Sequence, residues 1–172
     1  MAATGAFGQV LGGDSQIDRP WRIQVGAFFP SDAALRSFAG TTHFAIGGSY
    51  DTKQSNLMDN TLYQGFYGDA TFGNKSGGHS SVYGGGYQVR LGFGGPGKPL
   101  NTTVYPYIGG GLGIYGIDDN ILGTSTSFRL GGKLFAGVES TSGIYLQGAY
   151  SLVGSAHHYQ PSGFTVTLGL RF

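Results

Sequence analysis

The sequence predicts an all-β fold: an eight-stranded antiparallel up-and-down transmembrane β-barrel. Three observations carry the prediction. From Trp21 onward, apolar residues recur at every second position, the period of a strand and not of a helix. Charged residues make up only 11% of the chain, against about 25% in ordinary globular domains. Aromatics and glycine are abundant, with 11 Tyr, 12 Phe and 34 Gly in 172 residues. No stretch approaches the run of roughly 18 or more apolar residues that a transmembrane helix requires. A mean hydropathy of −0.06 is what results when strands hide apolar residues at alternate positions.

Residues 1–20 lack periodicity and end at Arg19-Pro20, so they are expected to form a flexible N-terminal extension, with the barrel domain spanning 21–172. Eight alternating segments follow. The first runs through Trp21, Ile23, Val25, Ala27 and Phe29, the second through Phe44, Ile46, Gly48 and Tyr50, and the third through Phe66, Gly68, Ala70 and Phe72. The fourth spans Tyr83 to Phe93, the fifth Pro106 to Ile114 and the sixth Phe128 to Val138. The seventh is Ile144, Leu146, Gly148 and Tyr150, and the last is Phe164, Val166, Leu168, Leu170 and Phe172. These lengths are close to the roughly 9–11 residues that carry a tilted strand across a bilayer.

The connectors alternate in character. Residues 30–41, 73–80, 116–127 and 152–163 read as polar loops, the first with at most one helical turn at Ser31–Leu35. Residues 139–143 read as a short turn and 94–99 as a Gly/Pro break. The 53–60 link is long for the short-turn side of such a barrel.

The strand charges Arg22, Asp69, Arg90, Arg129, Lys133, Glu139 and Arg171 all fall on the parity opposite the apolar set. In a barrel that parity faces the lumen, together with Tyr63, Tyr67, Tyr107, Tyr115 and Tyr145. These seven charges are therefore expected to form a lumen polar network, Asp69 and Glu139 pairing with some of the five cations. Glycines interleaved on the same parity would leave room for long Arg and Tyr side chains crossing from the other wall.

The aromatics on the apolar parity sort by position along the strands. If the N-terminus lies in the periplasm, Phe29, Phe44, Phe72, Tyr83, Phe128, Tyr150 and Phe164 lie near the outer ends. Trp21, Tyr50, Phe66, Phe93 and Phe172 lie near the periplasmic ends, with Tyr87 the exception between them. Two aromatic girdles around an aliphatic band are what membrane interfaces select.

The closing stretch Gly163–Phe172 alternates strictly and ends on Phe172. With Tyr105–Ile114 and Leu130–Glu139, it resembles the small eight-stranded outer-membrane barrels of the OmpA transmembrane domain, OmpX and OmpW type. The resemblance implies an outer-membrane address. It also implies that Phe164, Val166, Leu168, Leu170 and Phe172 form the signal read by the barrel-assembly machinery. The start Met1-Ala-Ala-Thr-Gly lacks the basic and apolar regions of a signal peptide, so a leader is expected to have been removed.

Other chemistry is sparse. A net charge of +1 and the lack of a basic cluster argue against nucleic acid. The absence of cysteine removes thiol chemistry and Cys-based zinc sites. Gly111–Gly116 matches a dinucleotide fingerprint by letter, but no helical period follows it. Adjacent His157 and His158, even with Asp118 or Asp119, make a poor chelate, because neighbours in a strand point to opposite sides. Ser155, His157, His158 and Ser162 are the residues a lipid A-modifying barrel would use, yet no acidic orienter stands near them in sequence. Asn101-Thr-Thr is a glycosylation sequon by letter only. Whether Phe28 and Phe135, apolar on the lumen parity, line a hydrophobic pocket stays open.

The expectation is a monomeric, non-enzymatic outer-membrane barrel, structural or a narrow porin-like pore for small solutes, with no cofactor and with membrane lipid as its partner. The alternatives are a soluble lipocalin-like ligand-binding barrel and a lipid A-modifying outer-membrane enzyme.

Overall fold

The computed structural model describes residues 17–57, 60–93, 103–119, 126–155 and 160–172. Eight strands form the fold: β1 (Trp21–Pro30), β2 (His43–Leu57), β3 (Asn60–Lys75), β4 (Gly78–Phe93), β5 (Val104–Asp119), β6 (Ser127–Ser140), β7 (Ile144–Val153) and β8 (Gly163–Arg171). Each pairs antiparallel with its sequence neighbour, and β1 pairs with β8, closing an up-and-down barrel with no free edge. Closure matters because an unpaired edge cannot be satisfied in an apolar medium.

All eight predicted segments are strands, and most run further than the apolar alternation does. Residues 73–80 are not a loop. β3 and β4 remain paired up to Lys75 and Gly78, and only Ser76 and Gly77 turn, with φ of 48° and 92°. Two successive left-handed residues match the right-handed twist of a hairpin, which is why a Ser-Gly pair suffices. Residues 53–57 likewise continue the ladder, pairing with 60–64 of β3 past a register shift between Asp51 and Lys53. Polar residues there pair through the backbone, which periodicity alone does not reveal.

The β1–β2 connection contains a helix, α1 (Ala33–Ala39), longer than the single turn expected. Asp32 caps its N-terminus by accepting from the Ala34 and Leu35 N–H groups, and Gly40 ends it at φ 99°. Of the expected N-terminal extension, residues 1–16 lie outside the described residues. Its last residues are tied to the barrel: the Pro20 carbonyl accepts from Asp51 N–H, and the Arg19 carbonyl from Arg171 Nε.

Inward glycines have a more local role than making room for the far wall. Gly84, Gly109, Gly137 and Gly169 stand directly opposite Tyr115, Phe135, Tyr107 and Tyr145 on the neighbouring strand. In each case an added Cβ would collide with that ring. The aromatics therefore lean over the adjacent backbone, and the lumen fills ring by ring.

Candidate functional site

The inward parity builds a filled lumen in layers. Nearest the end that carries the termini, three guanidiniums converge on two carboxylates. Glu139 forms ion pairs with Arg22 (3.3 Å), Arg90 (3.2 Å) and Arg171 (3.1 Å). Asp51 binds Arg90 at 2.6 Å and faces Arg171 at 3.7 Å. Tyrosine rings stack on these cations. Arg22 lies 3.8 Å from the Tyr145 centroid, and Arg90 and Arg171 lie 4.2 Å and 4.5 Å from that of Tyr63. The Tyr107 hydroxyl accepts from Arg22 and donates to Gln147. Pairing, hydrogen bonding and cation–π contact together offset the desolvation of buried charge.

A second pair sits in the next layer. Lys133 donates to Asp69 at 2.7 Å and lies over the Tyr67 ring, while Gln24 also donates to Asp69. The Tyr67 and Tyr115 hydroxyls bond to each other at 2.9 Å.

The layer at the other mouth is mainly apolar, with His43 and Ser80 also buried at that end. Leu35 and Ala39 of α1 are fully buried against the inward residues Val82, Ile117 and Val153, with Tyr67 and Tyr115 beneath. The helix therefore sits in the mouth of the barrel as a stopper. Its capping residue Asp32 also accepts from the Gln160 N–H, tying the β1–β2 and β7–β8 connections together. Burial acts to raise the Asp32 carboxyl, but the N–H donors of Leu35, Gln160 and Ala34 and the charge of Arg36 outweigh it and hold it below its usual range.

About 40 Å³ remains beneath α1, about 10 Å³ around Arg22 and Lys133, and about 380 Å³ at the end bearing the termini.

Of the seven expected network residues, the structure brings Arg22, Arg90, Glu139 and Arg171 into one cluster and Asp69 and Lys133 into a second. Arg129 joins neither. It lies near the start of β6, at the α1 end, and donates to the Ser155 and Phe128 carbonyls at 2.7 and 2.8 Å. Inward parity sets its face, but its height on the strand puts it at the rim. The residue missed from the network is Asp51, buried to 2% and one position past the last apolar residue of its segment. The signal was its parity, which it shares with Gly47 and Ser49.

On the outward face, Phe164, Val166, Leu168, Leu170 and Phe172 form one exposed row. The girdle aromatics Trp21, Phe29, Phe44, Tyr50, Phe66, Phe72, Tyr83, Phe128 and Tyr150 are exposed as well, and Phe93 is half-buried. Tyr87 rests edge-on against Phe66, and its hydroxyl donates to Gln64 at 2.8 Å, so a polar group in the apolar band is satisfied sideways.

The remaining candidates separate. Ser162 is buried and bonded to the Val153 backbone, while Ser155 is exposed. Gly111–Gly116 lies inside β5, as does Asp118 at its end. His157, His158 and Asn101 lie outside the described residues. Phe28 lines the small cavity beneath α1, whereas Phe135 packs on Tyr107 and Tyr145 away from it, so the two share no pocket.

No known family model matches the chain, and no curated protein matches it. Solved structures do. The outer membrane enzyme PagL superposes with a TM-score of 0.65 at 12% identity, covering 88% of this chain and 99% of its own. Neisserial surface protein A gives 0.54 at 17% identity, covering 93% and 99%. The N-terminal β-barrel domain of Pseudomonas aeruginosa OprF gives 0.52 at 14%, covering 91% and 100%. The chain thus has the fold of the small eight-stranded outer-membrane barrels.

Proposed function

We propose that this protein is a bacterial outer-membrane barrel that acts as a closed, lipid-anchored scaffold. On this reading it is a non-enzymatic monomer that reaches the membrane through the assembly machinery by way of β8. One observation carries the reading: the lumen is stopped twice, by the Arg22/Arg90/Glu139/Asp51/Arg171 cluster at one end and by Leu35 and Ala39 at the other. An eight-stranded barrel is wide enough only for side chains to fill, and here they fill it. The outward face supports the membrane address, since Leu112, Leu130 and Leu134 are among its most exposed residues. A soluble ligand-binding barrel would reverse this, with an apolar lumen and a charged exterior. Ser162, one of the residues a lipid-modifying barrel would use, is held by the Val153 backbone, which supports the non-enzymatic reading for that residue.

The test is a pair of measurements on protein refolded in detergent. The folded band is expected to shift on a gel after boiling, and the protein is expected to precipitate without detergent. In planar bilayers it is expected to show no discrete current steps. Regular steps would make it a narrow pore instead. Solubility in plain buffer with no gel shift would remove it from the membrane altogether.

A further inference from the structure

A cavity of about 380 Å³ opens at the end bearing the termini. Arg90, Glu139 and Arg171 floor it, and Tyr63, Tyr105 and Tyr107 wall it. Among the described residues the cavity and the cluster beneath it carry one more positive than negative charge, Arg19, Arg22, Arg90 and Arg171 standing against Asp18, Asp51 and Glu139. The Nε–H groups of Arg22 and Arg90 are buried with no hydrogen-bond partner. Of the guanidiniums in the cluster Arg171 is the most exposed, its side chain 10% exposed against 2% for Arg90, and the exposed Arg19 lines the cavity as well. Buried cationic charge in excess of its partners is stabilised when a counter-ion joins it.

We propose that this vestibule binds a small organic carboxylate, clamped by Arg171 with Arg90 behind it, its body lying against the tyrosine rings. The charge selects the class. One surplus cation is matched by a monoanion, whereas Asp18 and Glu139, which also line the cavity, oppose a phosphoryl group carrying about −1.5 to −2. Arg171 already donates through Nε to the Arg19 carbonyl and through Nη1 to Glu139, so Nη2, 3.7 Å from Asp51, is the donor it offers a carboxylate. Beyond Arg22, the Tyr145 ring and Gln147 close the way onward, so the vestibule is a dead end that binds without passing its ligand. This goes beyond the scaffold reading and does not depend on which side of a membrane the termini face.

Sodium lactate is the probe, titrated at fixed ionic strength into the full chain refolded in detergent. Lactamide serves as the neutral isostere and sodium phosphate as the rival anion. Arginine Nε–H resonances are followed by NMR. Lactate is expected to shift the Arg171 and Arg90 signals saturably, lactamide to leave them in place and phosphate to bind more weakly. Arg171→Gln, with its fold checked by the boiling-dependent gel shift, is expected to weaken lactate binding roughly tenfold or more. Absence of saturation with lactate, an equal response to lactamide, tighter binding of phosphate, or unchanged lactate affinity in Arg171→Gln overturns the proposal. If that variant does not fold, the three-probe comparison on the native chain decides alone. Bilayer currents report separately on whether the lumen is closed.

Discussion

Asp51 stands one residue past Tyr50, the last apolar residue of its segment, just before the register shift in β2. There it meets Arg90, whose side chain is 2% exposed and whose charge Asp51 and Glu139 share. Removing one partner of a buried pair leaves the other charge without compensation, which typically costs about 3–5 kcal/mol. Asp51→Ala is therefore expected to lower stability by about that amount, read by urea unfolding of the refolded protein in lipid vesicles. Arg129→Ala is expected to change it far less, because among the described residues that side chain bonds to carbonyls at the rim. The two residues show the limit of parity as a guide. Alternation names the face a residue occupies, while its partners depend on strand stagger, which no single strand encodes.

At the scale of elements, α1 is the feature least visible in the sequence. Seven residues are too few for a hydrophobic period, and isolated helices of this length do not hold themselves together in water. The helix forms because Leu35 and Ala39 find an apolar socket supplied by Val82, Ile117 and Val153, residues from three other strands. Its local signals are Asp32 and Gly40 at the two caps, and Asp32 is also pH-sensitive. Its folded carboxyl lies below the ordinary 3.8, so the stabilisation it contributes is full above that value and is lost as the pH falls through the lower, folded one. Amide hydrogen exchange in α1 and in the Gln160 N–H is expected to accelerate below about pH 4. Asp32→Ala is expected to reproduce the acceleration at neutral pH, at a cost of about 1 kcal/mol. Unchanged protection in either case would show that the socket alone holds the helix.

At the scale of the whole molecule, the barrel is apolar outside and polar within, the reverse of a water-soluble domain. Leu134, near the middle of β6 and 69% exposed, is a direct test of that inversion. Leu134→Arg is expected to destabilise the protein in vesicles by about 2–4 kcal/mol if the residue lies near the bilayer midplane. The same substitution on a water-facing surface would cost little.

The fold class was legible because its cause is periodic. Two-residue alternation, scarce charge and aromatics sorted along the strands are properties of the chain itself, and together they determined eight strands and which side chains face inward. The ends of the strands were less legible, since residues 74–75 with 78–79 and 53–57 with 60–64 are held by backbone pairing that needs no apolar side chain. Only the tertiary structure decided that Glu139 gathers three arginines, that Asp51 completes the cluster and that α1 stops the mouth. Each of those contacts joins residues far apart in the chain, and the closure and stagger of the barrel set them at one height.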